Sequence, residues 1–125
     1  MRKTPIKKKA KTHTQPWYRS KCVEKAKKIA LERDNYTCVR CGKSKANGNA
    51  IHGSHVYPEG TYHGMSANPL NIKALCYQCH FQWWHKNPME AKDWFETKYP
   101  DRAKELKRLS RLTIQINWKE YYTTL

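Results

Sequence analysis

The fold of this chain is decided by two stretches of the same form, Cys38-Val39-Arg40-Cys41 and Cys76-Tyr77-Gln78-Cys79. Two thiolates separated by two residues on a tight turn can both reach one tetrahedral ion at ~2.3 Å, and two such turns complete a four-sulfur site. The alternatives are an accidental pair or an iron–sulfur cluster, but two matched pairs favour zinc. The spacing therefore predicts a structural zinc site formed by Cys38, Cys41, Cys76 and Cys79, with the fifth cysteine, Cys22, outside it.

The charge of the chain indicates its partner. Its 125 residues include 25 Lys and Arg against 10 Asp and Glu, which gives a formal charge of +15. Self-repulsion of that size destabilises a compact state unless a polyanion offsets it, so nucleic acid is the expected partner and an anionic membrane surface is the rival. No apolar run approaches the ~20 residues that span a bilayer, and no signal-peptide pattern follows the basic start. We therefore expect a cytoplasmic protein that does not enter a membrane.

The N-terminal part of the chain separates into an arm and a helix. Residues 1–16 are rich in lysine and nearly devoid of apolar side chains, which predicts a basic disordered arm. From Tyr18 to Arg33, apolar residues recur among lysines at the spacing of one amphipathic helix. We expect phosphate contacts from basic residues of both segments: Arg2, Lys3, Lys7, Lys8, Lys9, Lys11, Lys25 and Lys28.

The centre of the chain contains two cysteine knuckles, the turns over residues 38–41 and 76–79, which alternate with regular secondary structure. Gly42 gives the first cysteine knuckle the backbone freedom that it needs. A β-like stretch runs from Ile51 to Tyr57, and residues from Leu70 to Leu75 lead into the second knuckle. Residues from Cys79 to Lys86 are expected to be helical. Residues 17–86 are thus predicted to form one zinc-stapled core that includes the N-terminal helix.

Residues 87–125 are predicted to form a C-terminal helical extension. The run Asn87-Pro88-Met89-Glu90 places Asn at a helix cap, Pro at the first helical position and Glu at the third. This pattern predicts a helix over 88–98, with Trp94 and Phe95 facing inward.

Two further helices are expected after it. The first begins at Pro100, and its buried face is formed by Ala103, Leu106, Leu109 and Leu112. Asn117 and Glu120 repeat the capping spacing and favour a short final helix. The alternation of Ile114 and Ile116 fits a strand instead, so this segment has two interpretations.

The residues around the knuckles resemble a known family of nucleases. The runs Ala30–Gly42, Ser54–Pro58 and Asn71–His80 keep the order and register of an HNH (His-Me finger) endonuclease with a four-cysteine zinc site. The resemblance covers about residues 30–85 and, with Trp83-Trp84-His85-Lys86-Asn87-Pro88, is closest to phage recombination nucleases of the NinG/Rap kind. It implies an α+β fold with a small zinc-stapled ββα-metal (His-Me finger) core and flanking helices.

The resemblance also implies an activity, which is the hydrolysis of DNA phosphodiester bonds by a metal-dependent endonuclease. A phage-encoded enzyme would act in the host cytoplasm, on duplex DNA or on branched and recombination DNA. Matched residue by residue, His55 is the general base that deprotonates a water, and Asn71 fixes the loop that directs it. His80 matches a ligand of the catalytic metal, which is Mg²⁺ or another divalent ion.

The chain departs from the family pattern at Ser54. Family members place Asp or His immediately before the general base as a second metal ligand, and a neutral hydroxyl is a poor ligand for a hard divalent cation. His52 is a candidate replacement, because residues two apart on a strand project to the same face. His85 is a second candidate, although its offset of five from His80 places it poorly on the same helix face.

The sequence also allows other functions for the protein and ordinary structural roles for the residues named above. The main alternative is a catalytically inactive zinc-finger protein that binds nucleic acid, and an RNA-directed module is a third reading. His13, His63 and His85 are expected to be ordinary surface or hydrogen-bonding residues. Trp83 and Trp84 fit either a core or a base-stacking platform, with one ring facing in and the other out.

Overall fold

A computed structural model describes residues 13–125 of the chain, so the predicted phosphate contacts from Arg2 to Lys11 lie outside the described residues. Its elements are α1 (Gln15–Arg33), β1 (Ile51–His55), β2 (Ile72–Cys76), a π-helix (Gln78–Trp84), α2 (Pro88–Lys98), α3 (Pro100–Ser110) and α4 (Trp118–Thr123). Short 3₁₀ turns lie at Lys45–Asn47, His63–Met65 and Pro69–Asn71. The predicted α+β class is confirmed in the form of a two-stranded antiparallel sheet with several helices.

The first helix starts earlier than its apolar pattern predicted. It begins at Gln15 rather than Tyr18, with Pro16 in its first turn, where a missing N–H costs nothing. The ring of His13 stacks on Trp17 with centroids 3.6 Å apart. The predicted arm, residues 1–16, therefore overlaps the helix by its last two residues.

The two strands form the centre of the molecule. They pair in the register Ile51↔Cys76 to His55↔Ile72, and every residue of β2 is buried because α1 and the π-helix both pack against it. At Gly53 a Cβ would lie 2.8 Å from Cγ of Lys27, so this glycine permits the close approach of α1 to β1. Strand β1 ends at His55 rather than at the predicted Tyr57.

The two cysteine knuckles attach to this sheet. Gly42 has a φ of 83°, which confirms that the first knuckle needs backbone freedom there. Within that knuckle the Gly42 N–H donates to the Cys38 carbonyl at 2.9 Å, and the Val39 N–H donates to the Ala74 carbonyl of β2 at 3.0 Å. The second knuckle continues directly from the end of β2 into the π-helix.

The C-terminal helices pack onto this centre. Helix α2 has the predicted bounds, with Phe95 buried and Trp94 half-buried. Helix α3 buries Leu106 against Phe95 and Met65, whereas Leu112 is 51% exposed because the helix ends at Ser110. The expectation that Leu112 is buried is therefore wrong.

The final segment is a helix and not a strand. Helix α4 is capped by the Asn117 side chain, which accepts from the Glu120 N–H, and Trp118 at its start is buried against α1. The capping interpretation of this segment is thus confirmed. Within residues 13–125 no helix combines the length and the apolar content that a bilayer crossing requires.

Candidate active site

The four cysteines of the knuckles lie together. Their Sγ atoms are all within 4.8 Å of one another, and those of Cys41 and Cys76 are 3.5 Å apart. Sulfurs bound to one tetrahedral zinc at ~2.3 Å would be about 3.8 Å apart, so the donor set fits this ion. The prediction that Cys38, Cys41, Cys76 and Cys79 can hold one metal is confirmed, and Cys22 lies in α1, outside the cluster.

The surroundings of the four sulfurs shift the pKa values of the cysteines in different directions. Burial opposes ionisation of Cys38, but backbone N–H groups that include those of Cys41 and Cys76 lower its pKa to about 7. Burial raises the pKa of Cys79 to about 12, although the Arg40 guanidinium donates to its sulfur at 3.5 Å. Four adjacent thiolates need a cation to offset their charge, which a zinc ion would supply.

A cleft of about 630 Å³ opens where β1, α1 and the π-helix meet. It is lined from several elements by His55 at the end of β1, Lys27 of α1, and His80 and Trp84 of the π-helix. π-Helical segments are rare and are frequent at functional sites. The cleft therefore brings together two of the three predicted catalytic residues, His55 and His80.

The ring of His55 has a defined hydrogen bond. Its Nε2 lies 2.8 Å from the backbone carbonyl oxygen of Ser66, which can only accept, so the neutral ring carries its proton on Nε2. The lone pair is then on Nδ1. Burial, more than any neighbouring charge, lowers the pKa of His55. These two effects leave a neutral imidazole whose Nδ1 can accept a proton.

Asn71 ties the loop after β1 to the start of β2. The residue is fully buried; its Oδ1 accepts from the Tyr57 N–H at 2.8 Å, and its Nδ2 donates to the carbonyls of Tyr57 and Met65. These bonds replace the strand pairing that Tyr57 would otherwise need, which explains the early end of β1. Asn71 thus holds the segment that follows His55 in place.

Two arginines hold the turn that carries Asn71. Arg33 donates to the carbonyls of Pro69 and Ile72 at 2.7 and 2.6 Å. Arg102 of α3 donates to those of Leu70 and Ile72 at 2.6 and 2.7 Å. The position of Asn71 therefore depends on α1 and α3 as well as on the strands.

His52 and His80 meet across β1 and the π-helix. Their Nδ1 atoms are 3.1 Å apart, and two nitrogens on one ion at ~2.0–2.1 Å would be about 2.9–3.4 Å apart. Burial first, and then the neighbouring His85 and His52, lower the pKa of His80 to about 4, so it is neutral at pH 7. The same distance fits a hydrogen bond between the two rings, so the pair is joined directly as the structure stands.

Ser54 has a different role from the metal ligand considered above. Its hydroxyl is 1% exposed and accepts from Nζ of the fully buried Lys73 at 3.1 Å, and that Nζ also lies 3.1 Å from the centroid of the Trp84 ring. Burial lowers the pKa of Lys73 well below its usual range. Ser54 is thus buried beside Lys73 and does not line the cleft, so the structure gives no support to its tentative role as a metal ligand.

The remaining predicted residues divide between surface and core. Lys25 and Lys28 are exposed on α1, as a phosphate contact requires, whereas Lys27 between them lines the cleft. Sequence analysis missed Lys27, although its position four residues after the buried Val23 places it at the edge of the buried face. Trp83 is buried against the cysteine cluster. His13 and His63 are exposed, and among residues 13–125 neither belongs to a cluster of metal-ligating side chains.

No protein-family model, curated protein or solved structure matches the chain. The likeness to HNH nucleases therefore stays a hypothesis based on the motif residues. What the structure adds is the geometry described above for His55, Asn71, His52 and His80.

Proposed function

We propose that this protein is a metal-dependent endonuclease of the HNH type that hydrolyses DNA phosphodiester bonds. The observation that carries the proposal is the hydrogen bond from His55 Nε2 to the Ser66 carbonyl, in a ring that lines the cleft beside His80. A histidine held in this tautomer by a backbone carbonyl has the geometry of a general base. Its origin in a phage and its action on branched DNA stay predictions from the resemblance.

In the proposed reaction Nδ1 of His55 accepts a proton from a water that attacks phosphorus. The bond from phosphorus to the leaving 3′ oxygen breaks, and that oxygen takes a proton from solvent to give a 3′ hydroxyl and a 5′ phosphate. Asn71 keeps the loop after His55 in place, so that the base keeps its direction. A divalent ion held by His80 and His52 would offset the negative charge that develops on the phosphate. Lys27, at the cleft wall, adds a positive charge for the substrate.

The donor set bears on which divalent ion is used. Imidazole nitrogens suit Zn²⁺, Co²⁺ or Ni²⁺, while Mg²⁺ prefers oxygen ligands. The Ser54 hydroxyl accepts from Lys73, and the two candidate ligands that lie in contact in the described site are His52 and His80. We therefore propose a transition metal ahead of Mg²⁺ for the catalytic position.

A catalytically inactive nucleic-acid-binding protein is the second candidate. The pairing of Ser54 with Lys73 favours it, because an amine lies where the family has an anionic or imidazole ligand. One assay distinguishes the endonuclease from the inactive binding protein. Cleavage of duplex DNA, branched DNA and structured RNA is followed while Mg²⁺, Mn²⁺, Co²⁺ and Ni²⁺ are titrated, and the binder would retain affinity for DNA without cleaving under any metal.

The histidine pair leads to a specific expectation. His52→Ala should lower cleavage as strongly as His80→Ala, and excess Mn²⁺ or Co²⁺ should partly restore both, since each variant leaves one imidazole at the ion. The measurement is the single-turnover cleavage rate against metal concentration. His13→Ala, which removes a histidine outside the cleft, should follow the unchanged protein. A His52→Ala variant with the metal dependence of the unchanged protein would remove His52 from the metal site.

Affinity for DNA should depend steeply on salt. Phosphates that bind lysines release counterions, so log K falls linearly with log salt concentration, and deletion of residues 1–12 should reduce that slope while cleavage chemistry persists. Fluorescence anisotropy with a duplex at several salt concentrations measures the slope. An unchanged slope after the deletion would mean that residues 1–12 do not contact phosphate.

A further inference from the structure

An aromatic strip lies on the outer side of the π-helix, next to the histidine pair. Its members, Tyr77, Phe81 and His85, follow one another at intervals of four residues. Ring centroids are 5.1 Å apart for Tyr77 and Phe81, and 5.9 Å apart, nearly parallel, for Phe81 and His85. Tyr77 is 55% exposed and Phe81 is 41% exposed. Together the two exposed rings form a flat apolar surface beside the candidate site.

The strip is flanked by lysines that are held in place. Gln78, which follows Tyr77, accepts from Lys43 Nζ at 2.7 Å, and Gln82, which follows Phe81, accepts from Lys86 Nζ at 2.8 Å. An ammonium group thus lies next to the residue that follows each of the two exposed rings. The two carboxylates that line the cleft, those of Glu59 and Glu96, belong to the loop after β1 and to α2. Apolar rings with ammonium groups close by match a ligand that has a flat apolar face and phosphates.

The strip is continuous with the candidate metal ligands. The Phe81 ring centroid is 4.3 Å from that of His80 and 5.5 Å from that of His52. A base stacked on Phe81 would therefore lie next to the histidine pair. In a duplex both faces of a base are already covered by its neighbours, so this contact requires an unpaired base.

We propose that Tyr77 and Phe81 stack an unpaired base of single-stranded DNA and so direct the enzyme to single-stranded segments, including those at branch points. The inference rests on the proposed function for its choice of DNA as the partner. The stacking surface is different from the tryptophan pair considered from the sequence, because Trp83 is buried and Trp84 covers Lys73.

The test separates stacking from charge. A thymidine oligonucleotide and an abasic oligonucleotide with the same number of phosphates are compared by fluorescence anisotropy, in a His55→Ala background, so that cleavage plays no part. Stacking contributes ~1–3 kcal/mol per base. We therefore expect the protein with Tyr77 and Phe81 intact to bind the thymidine oligonucleotide between about fivefold and about 150-fold more tightly than the abasic one. Phe81→Leu, which keeps apolar bulk but has no aromatic face, should lose most of this ratio.

Two variants serve as controls. Phe81→Tyr keeps an aromatic ring and should keep the ratio. Met89→Ala removes an apolar side chain that is 85% exposed on α2, and it should leave the ratio unchanged. Equal binding of the two oligonucleotides by the unchanged strip, or an unaltered ratio in Phe81→Leu, would overturn the proposal. Because only binding is measured, a failure of the nuclease mechanism would leave this result intact, and the reverse also holds.

Discussion

Replacing His55 by alanine is expected to abolish DNA cleavage while zinc content and DNA affinity persist. The variant removes the only group in the proposed mechanism that accepts the proton of the attacking water, and general-base catalysis contributes ~10²–10⁴-fold to rate. His55 is half-buried and its ring is held by the Ser66 carbonyl, so the loss should be in the chemical step. Single-turnover rates with saturating protein, alongside anisotropy and zinc analysis, measure these quantities.

The control for this variant is His63→Ala. His63 is exposed in a 3₁₀ turn, so its replacement should leave the rate unchanged. The pH dependence adds an independent readout. Since burial lowers the pKa of His55 below its usual 6.5, the rate should rise with pH through a midpoint below 6.5, as the base loses its proton. Full activity of His55→Ala would remove the nuclease mechanism and leave the zinc site unaffected.

Replacing Cys76 by serine is expected to unfold the centre of the protein. Cys76 is the last residue of β2 and joins the sheet to the second knuckle, so loss of the metal there releases both. Apparent binding energies of ~10–16 kcal/mol for structural zinc match or exceed the ~5–15 kcal/mol by which native domains are stable. Circular dichroism and thermal unfolding, with and without a strong chelator, measure the effect. DNA cleavage should be lost with the fold.

Cys22→Ala is the matched control for this experiment. Cys22 is also buried, but it lies in α1 within an apolar cluster, and its sulfur donates to the Trp118 carbonyl at 3.9 Å. We expect a cost of ~0.5–3 kcal/mol, typical of a single core substitution, with the fold and the zinc retained. A metal-free protein with the circular dichroism and thermal midpoint of the zinc-bound form would contradict the structural role of the cysteines.

Elements set by local signals were predicted well. The run Asn87-Pro88-Met89-Glu90 fixed both the start and the nature of α2, and Asn117 with Glu120 fixed α4. In α4 the Asn117 side chain accepts from the Glu120 N–H, an interaction between residues three apart that the sequence alone contains. In α2 the Asn87 side chain makes no capping hydrogen bond, and Pro88 at the first helical position marks the start. The two knuckles were predictable for the same reason, because each cysteine pair is a local turn.

Elements that end through distant contacts were predicted less well. Strand β1 stops at His55 because the side chain of Asn71, sixteen residues later, takes the hydrogen bonds of Tyr57. Leu112 was predicted to lie on the buried face of α3, but that helix ends at Ser110. In both places the apolar pattern identified the type of element. It contained no information on the distant contacts that set where the element ends.

The sequence by itself determined the four-cysteine cluster, the helices with caps and the residues of the candidate motif, because spacing along the chain fixes local geometry. Only the tertiary structure decided which side chains meet. Strand alternation put His52 and Ser54 on one face, but the packing of the π-helix against the sheet brings His52 to His80 and pairs Ser54 with Lys73. The same packing leaves Phe81 exposed beside His80. Such contacts join elements far apart in the chain, so their partners depend on strand register and helix packing rather than on spacing.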